Sequence, residues 1–302
     1  MSDVTTAEKE RLVAARPLVR RSDAISHRTG GNRSPLSFWY PPRMLRIVLL
    51  VLMGVFAVTA QPAAPRPEAN LNATLWVQTS AEFGALATQT YRAAGMALTA
   101  ALADPHWTAA YEQTNDFRAL PPAVILDLDE TVLDNSSAQV QVMRTGQGYT
   151  EEGWTAWVKE ARAGAVPGAV AFLHAALLKG VAPHYITNRV CNPADAADPT
   201  VKVLKHLGIP YAPDRLLCKT AGSNKTDRRS AVAERFRILL LIGDDFNDFT
   251  AVPDAVDERA KLWKFYEPMW GTKWFVLPNP MYGSWERSVG FDLAKKWNAL
   301  RP

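Results

Sequence analysis

The chain is 302 residues long, with 34 Lys and Arg against 30 Asp and Glu and 48% hydrophobic residues, enough for a globular domain with something attached in front. Its whole basic excess lies in residues 1–43, which hold eight basic and four acidic side chains; residues 61–302 hold 25 basic and 26 acidic ones. The folded part therefore lacks the basic surplus of a protein that binds a nucleic-acid polymer.

Residues 1–43 scatter Ser, Pro and Gly with little apolar periodicity, and read as a disordered basic extension or as text ahead of a start at Met44. From Met44, a single Arg46 precedes an uncharged apolar stretch, Ile47 to Val58, with small residues at Ala57 and Ala60. Residues 44–60 thus read as a signal peptide cleaved after Ala60, in an exported protein, periplasmic or secreted. The stretch is short for a membrane span, and an uncleaved anchor is the competing reading. Pro-rich residues 61–74 suit a linker, which leaves 75–302 as the folded domain. No Cys stands near Ala60, so a lipoprotein-type acylation site is absent there.

In the folded part, Phe83, Leu86, Met96, Leu98 and Leu102 in an Ala-rich stretch predict a helix ending before Pro105. A strand follows at 123–129, then a polar loop and a Trp-containing segment around Trp154 and Trp157. A helix from Gly168 to Lys179 is stopped by Gly180, a strand covers 181–187, and a helix from Thr200 to Leu207 is stopped by Gly208. Further strands are predicted at 215–218, 238–245 and 274–278, with a helix opening near Asn224. Asp254, Asp257 and Glu258 read as an ordinary solvated helix start. Strand and helix alternating at this spacing give an α/β fold, a Rossmann-like, mostly parallel sheet with helices on both faces and small helical cap elements. Cys191 and Cys218 fall at the ends of two strands that can be neighbours, which leaves open a disulfide or two separate small buried residues.

The strand ends carry the chemistry. Four apolar residues precede Asp127, so a strand buried on both faces delivers Asp127 and Asp129 at its C-terminal end, where open α/β sheets bind ligands. The second strand ends in Thr187, Asn188 and Arg189, and the fourth in Gly243, Asp244 and Asp245, followed by Asp248. Lys225 lies near a helix start between them. Several acids around a phosphate dianion need a divalent cation to neutralise the charge, and Mg²⁺ prefers such oxygen ligands. A hydroxyl and a Lys then suit the phosphoryl oxygens. His174, His184 and His206 show no ligand spacing, which disfavours zinc or histidine-phosphatase chemistry.

Four segments in order, DLDET, ITNR, SNK and GDDFND, resemble the four motifs of the haloacid dehalogenase superfamily. Within it, DLDETVLDN, the SNKxxRR pattern and the tail WGTKWFVLPNPMYGSWE are similar to the exported class C (subfamily IIIB) acid phosphatases, which include outer-membrane nucleotidases; the likeness spans roughly 75 to 290. The resemblance implies that Asp127 attacks phosphorus and carries an aspartyl-phosphate, and that Asp129 protonates the leaving alcohol and then activates water. It implies Mg²⁺ held by the Asp127 carboxylate, the Asp129 backbone carbonyl and the Asp244 carboxylate, with Asp248 reaching the metal through water or supporting Lys225. Thr187, Lys225 and Asn188 would bind phosphate, and Thr131 would fix its loop or a helix start. Asp245 stands where relatives often have Asn, which leaves the division of labour among Asp244, Asp245 and Asp248 open.

The implied activity is hydrolysis of a small phosphate monoester, a nucleotide or an aryl or sugar phosphate, with membrane contact only through an uncleaved leader. Trp154, Trp157 and Tyr282, with Trp285 beside them, are candidates for stacking a planar leaving group, and core packing is the competing reading. Ser136, Ser137 and Ala138 stand where relatives often carry an aromatic, which weakens a transfer of nucleotide specificity. A phosphotransferase with the same intermediate and a non-catalytic storage relative are the alternative functions.

Overall fold

A helical pair leads into the sheet: α1, Leu71–Thr79, and α2, Ala81–Ala103, whose N-cap Ser80 accepts a hydrogen bond from the Phe83 N–H at 3.1 Å. The computed structural model describes residues 70–146, 148–222 and 224–301, all within one unit, 63–302. The expected extension at 1–43, the leader at 44–60 and the linker up to residue 69 lie outside the described residues. Helix α1 corrects the end of that linker, since the chain is already helical from Leu71. Its buried positions are Thr74 and Val77, too few to give a visible apolar stripe.

From there the elements alternate. Strand β1 is Pro122–Leu126; a short β2, Leu133–Asp134, pairs antiparallel with β3, Gly164–Ala165, and the segment between them carries α3, Ser136–Thr145, and α4, Glu151–Glu160. There follow α5, Ala169–Leu178; β4, Ala182–Ile186; α6, Pro199–His206; β5, Leu216–Leu217; α7, Lys225–Ala233; and β6, Arg237–Gly243. The chain closes with α8, Val256–Phe265; β7, Trp274–Val276; α9, Ser284–Val289; and α10, Leu293–Ala299. The five main strands lie in the order β5–β4–β1–β6–β7, all parallel.

Alternation along β1 decides what each face buries. Val124 and Leu126 pack with Leu240, Ile242, Tyr91 and Leu98 of α2 and Leu173 of α5. Ala123 and Ile125 pack on the other face with Ile238, Leu241, Val232 of α7, Phe249 and Trp274. Each fully buried Leu or Ile contributes about 1.5–3 kcal/mol, so covering both faces is what makes the central strands uniformly apolar. The predicted order of elements holds, with strands shorter than expected. The 123–129 strand ends at Leu126 because the chain turns there: Glu130 sits at φ 58°, and the Val132 and Leu133 N–H groups both bond to the Leu128 carbonyl at 2.9 and 2.8 Å.

The segment read as a polar loop after β1 is in part the helix α3. Its buried side is polar: Gln139 accepts from Asn70 at 2.8 Å, and Ser136 accepts from Gln78 at 3.1 Å, so α3 docks on α1 through hydrogen bonds. Of the two readings for the cysteines, the structure has the disulfide: Cys191 and Cys218 are bonded, with Cα atoms 5.6 Å apart. Among the described residues no helix is long and apolar enough to cross a membrane.

Candidate active site

Three parallel strands end side by side, and each contributes one part of the site. After β1 come Asp127, 7% exposed, and Asp129; after β4, Thr187 and Arg189, both buried; after β6, Asp244 and the turn Phe246–Asp248. The β6 end is shaped by a close approach. A Cβ on Gly243 would stand 2.3 Å from Asp248 Oδ2, so only glycine lets Asp248 fold back under the strand. Asp248 Oδ2 accepts the Asp245 N–H at 2.9 Å, and Asp245 Oδ1 accepts the Asn247 N–H at 2.9 Å, a reciprocal cap.

Asp127, Asp244 and Asp248 each offer a carboxylate oxygen within 4.8 Å of the others. The Lys225 ammonium bridges two of them, 2.6 Å from Asp127 Oδ1 and 2.5 Å from Asp248 Oδ1. Asn224 at the N-cap of α7 accepts the Asp227 N–H at 2.8 Å and so sets where that helix and its Lys225 begin. Asp244 has neutral donors: the Thr131 hydroxyl at 2.9 Å and the Asn279 amide at 2.8 Å. Thr131 therefore does not cap its own loop or a helix, as expected from sequence; it reaches across to Asp244.

Burial, then the like charges of Asp248, Asp127 and Glu130, push the Asp244 carboxyl well above the usual range. Burial, with help from Asp248 and Asp129, lifts Asp127 to about 7 against the pull of Lys225. Burial opposes the Lys225 charge, but Asp127 and Asp248 outweigh it and hold the ammonium above its ordinary range. Two unit charges 4 Å apart interact with about 4 kcal/mol at an effective dielectric of 20, so one lysine does not balance three carboxylates. The deficit falls on Asp244. An all-oxygen donor set with uncompensated negative charge fits a hard divalent cation.

Asp129 faces a different environment. Its side chain lies outside the three-acid cluster: Oδ1 accepts from Arg189 Nε at 2.9 Å and from Asn135 Nδ2 at 3.0 Å, and Oδ2 accepts from the Thr187 hydroxyl at 3.3 Å. Next to it, Glu130 accepts from Asn135 and from the Tyr282 hydroxyl, and burial, then Asp129, raises its carboxyl to about 8. Asp245, undecided from sequence, is a tether. It accepts from Ser284 Oγ at 2.7 Å and from the Ser284 N–H at 2.5 Å, tying the tail to the β6 end, and although burial opposes it these donors hold its carboxyl below the usual range.

The structure thus brings Asp127, Asp129, Thr187, Lys225, Asp244 and Asp248 together. Asn188 is exposed, and its amide oxygen accepts from Arg228 Nη2 at 3.1 Å. Trp157 is 2% exposed, and its indole donates to Asn135 Oδ1 at 2.9 Å, which corrects its reading as a stacking surface. Trp154 and Tyr282 are half-buried, and the Arg189 guanidinium lies 5.7 Å from the Trp154 ring centroid. Asn135, Glu130 and Asn279 were missed, and Arg189 was seen without a role. All four stand inside the motif segments quoted above, which is the signal that singles them out.

Comparison with known proteins gives the same picture. The sequence profile described as HAD superfamily, subfamily IIIB (acid phosphatase), matches residues 56–285. The chain is similar to the class C acid phosphatase of Bacillus anthracis, at 34% identity and TM-score 0.67 over 77% of this chain and 97% of that one. It is also similar to the tungstate-bound structure of the class C acid phosphatase from that organism, at 33% identity and TM-score 0.66 over the same shares. A match of that extent, carried by strand ends that gather the four motif segments, shows the family: this chain belongs to the HAD superfamily, subfamily IIIB, and is an acid phosphatase that hydrolyses phosphate monoesters.

Proposed function

We propose that the protein is an exported, Mg²⁺-dependent phosphomonoesterase working through an aspartyl-phosphate on Asp127. The observation that carries this is the contrast between Asp127, inside the acid cluster and paired with Lys225, and Asp129, outside it and held by Arg189, Asn135 and Thr187. Two carboxyl groups in such different surroundings take different roles.

A carboxylate oxygen of Asp127 bonds to phosphorus as the ester P–O bond breaks, and the proton on Asp129 passes to the departing oxygen. Asp129, now a carboxylate, takes a proton from water as that water attacks the phosphorus and frees Asp127. Lys225 and Thr187 hold phosphoryl oxygens, and Lys225 also fixes Asp127. Asp127 and Asp244, with the Asp129 backbone carbonyl and Asp248 near by, would hold the Mg²⁺, which when bound offsets phosphate charge. Export is supported by the leader pattern at 44–60 and by the disulfide, a bond that persists in oxidising compartments. Trp154 and Tyr282, half-buried beside Arg189 and Glu130, suit a planar leaving group such as a nucleoside.

The full chain with Mg²⁺ is expected to hydrolyse 4-nitrophenyl phosphate, to lose activity with chelator, and to be inhibited by tungstate. Asp127→Asn should lower kcat by roughly 10⁴-fold or more, by analogy with loss of other covalent nucleophiles. Full activity in that variant overturns the mechanism.

A further inference from the structure

Asn135 stands at the N-cap of α3, where an Asn side chain ordinarily accepts a bond from the free N–H groups of its own helix. Here it makes no such bond, and Asp134 Oδ1 accepts the Ser136 N–H instead, at 2.8 Å. The Asn135 amide, 0% exposed, is spent on the site. Its Nδ2 donates to Asp129 Oδ1 at 3.0 Å, and its Oδ1 accepts from Arg189 Nη2 at 3.0 Å and Trp157 Nε1 at 2.9 Å. Guanidinium and indole only donate and a carboxylate only accepts, so the orientation of this amide is fixed by its partners.

Arg189 closes the ring. It is 2% exposed, with Nε and Nη2 at 2.9 and 2.8 Å from the same Asp129 Oδ1. Two hydrogen bonds, from Arg189 Nε and Asn135 Nδ2, therefore end on one carboxylate oxygen, with the charge of Arg189 Nη2 beside it. Among the described residues, Oδ2 receives a single longer bond, from the Thr187 hydroxyl at 3.3 Å.

We infer that Arg189, Asn135 and Trp157 are positioning residues that saturate Asp129 Oδ1 and so place the transferred proton on Oδ2, the oxygen beside Thr187. The inference rests on the reading of Asp129 as the proton-transfer group and adds the atom and the apparatus. An oxygen has two lone pairs, and two donors, Arg189 Nε and Asn135 Nδ2, already take those of Oδ1; a proton added there would also face the guanidinium. The Oδ2 proton moves to the bridging ester oxygen as the P–O bond breaks and the Asp127 oxygen bonds to phosphorus, leaving Asp129 as the carboxylate that Arg189 pairs with. Trp157 belongs to α4 and Arg189 follows β4, so the relay also links α4 to the acid. Misplacing a reacting group by about 1 Å can cost on the order of 100-fold in rate, which is the scale on which such a relay acts.

The test is kcat/KM of the full chain with Mg²⁺ across phosphate monoesters whose leaving alcohols run from 4-nitrophenol to simple alkyl alcohols. Proton donation matters most for poor leaving groups. Arg189→Lys is expected to lose about 100-fold with an alkyl ester against about tenfold with 4-nitrophenyl phosphate, within the usual span of general acid catalysis. Trp157→Phe keeps an aromatic side chain but removes the indole donor, so it should show a smaller loss with the same slant, and it decides the matter if Arg189→Lys does not fold by circular dichroism. Equal losses across the series in a folded variant, beside a steep series in Asp129→Asn, overturn the relay alone. Equal losses in Asp129→Asn overturn the acid assignment and the relay with it.

Discussion

Asp127 and Asp129 leave β1 two residues apart, yet the ground on either side of them differs in kind. Toward β6, Asp127, Asp244 and Asp248 cluster with one lysine between two of them, and burial with neighbouring like charges raises their carboxyls. Toward β4, Asp129 meets a buried arginine, an amide and a hydroxyl. One side is short of positive charge and suits a cation; the other is supplied with donors and suits a proton carrier. If those are their tasks, the turn that follows β1 is what keeps them apart, one acid toward β6 and the other toward β4.

The comparison can be broken most directly at Asp244. Asp244→Asn removes the carboxylate that has neutral donors, and calorimetric titration with Mg²⁺ should show affinity falling about 100-fold or more. Unchanged affinity would mean that the acid-rich side is not the cation side. Thr131→Val leaves the carboxylate and removes its hydroxyl donor; a loss of about tenfold in the same titration is expected. Asp245→Ala probes the neighbouring acid that serves as a tether. With its bonds to Ser284 and Asn247 gone, stability in urea should drop by about 3–4 kcal/mol, while Mg²⁺ affinity changes less than in Asp244→Asn.

A further effect concerns a buried group away from both sides. His184 in β4 packs edge-on against Phe236, its Nδ1 lies 3.4 Å from the Ala182 carbonyl, and Arg215, Asp214 and Arg235 are the charges around it. Burial lowers its imidazole from 6.5 to about 4. The unfolded chain then binds more protons between those values, so the neutral His184 contributes stability that is whole above pH 6.5 and fades as pH falls toward 4. The loss is at most about 3 kcal/mol at 1.36 kcal/mol per unit. His184→Phe should flatten that decline in urea melts taken from pH 7 to 4; an unchanged slope would refute it.

Legibility in the sequence followed the range of the forces. The strands were readable because parallel strands buried on both faces must be continuously apolar, as in VIL before Asp127 and ILLLIG before Asp244. The acids at their ends were readable for the same reason. What stayed hidden were pairings across space: Thr131 with Asp244 is 113 residues apart, and Arg189 with Asp129 is 60. The α1 and α3 helices were missed because their contact is made by Asn70, Gln78, Ser136 and Gln139, which leave no apolar rhythm. Asn135 looks like an ordinary helix cap, and only the fold shows its amide spent elsewhere.

The Cys191–Cys218 bond has a consequence for the sheet itself. Strand β5 is two residues long, at one edge of the sheet, and its ladder to β4 consists of Tyr185 with Leu216 and Ile186 with Leu217. So few rungs are a weak fastening for an edge. The disulfide, closing a separation of 27 residues, adds about 3–4 kcal/mol by restricting the unfolded chain. It also rivets the end of β5 to the loop that carries Arg189, where the Lys219 N–H already meets the Arg189 carbonyl at 2.9 Å. The rim of the sheet is therefore held by a covalent stitch placed where its hydrogen-bonded weave runs out, and a reductant would loosen the fabric first beside Arg189.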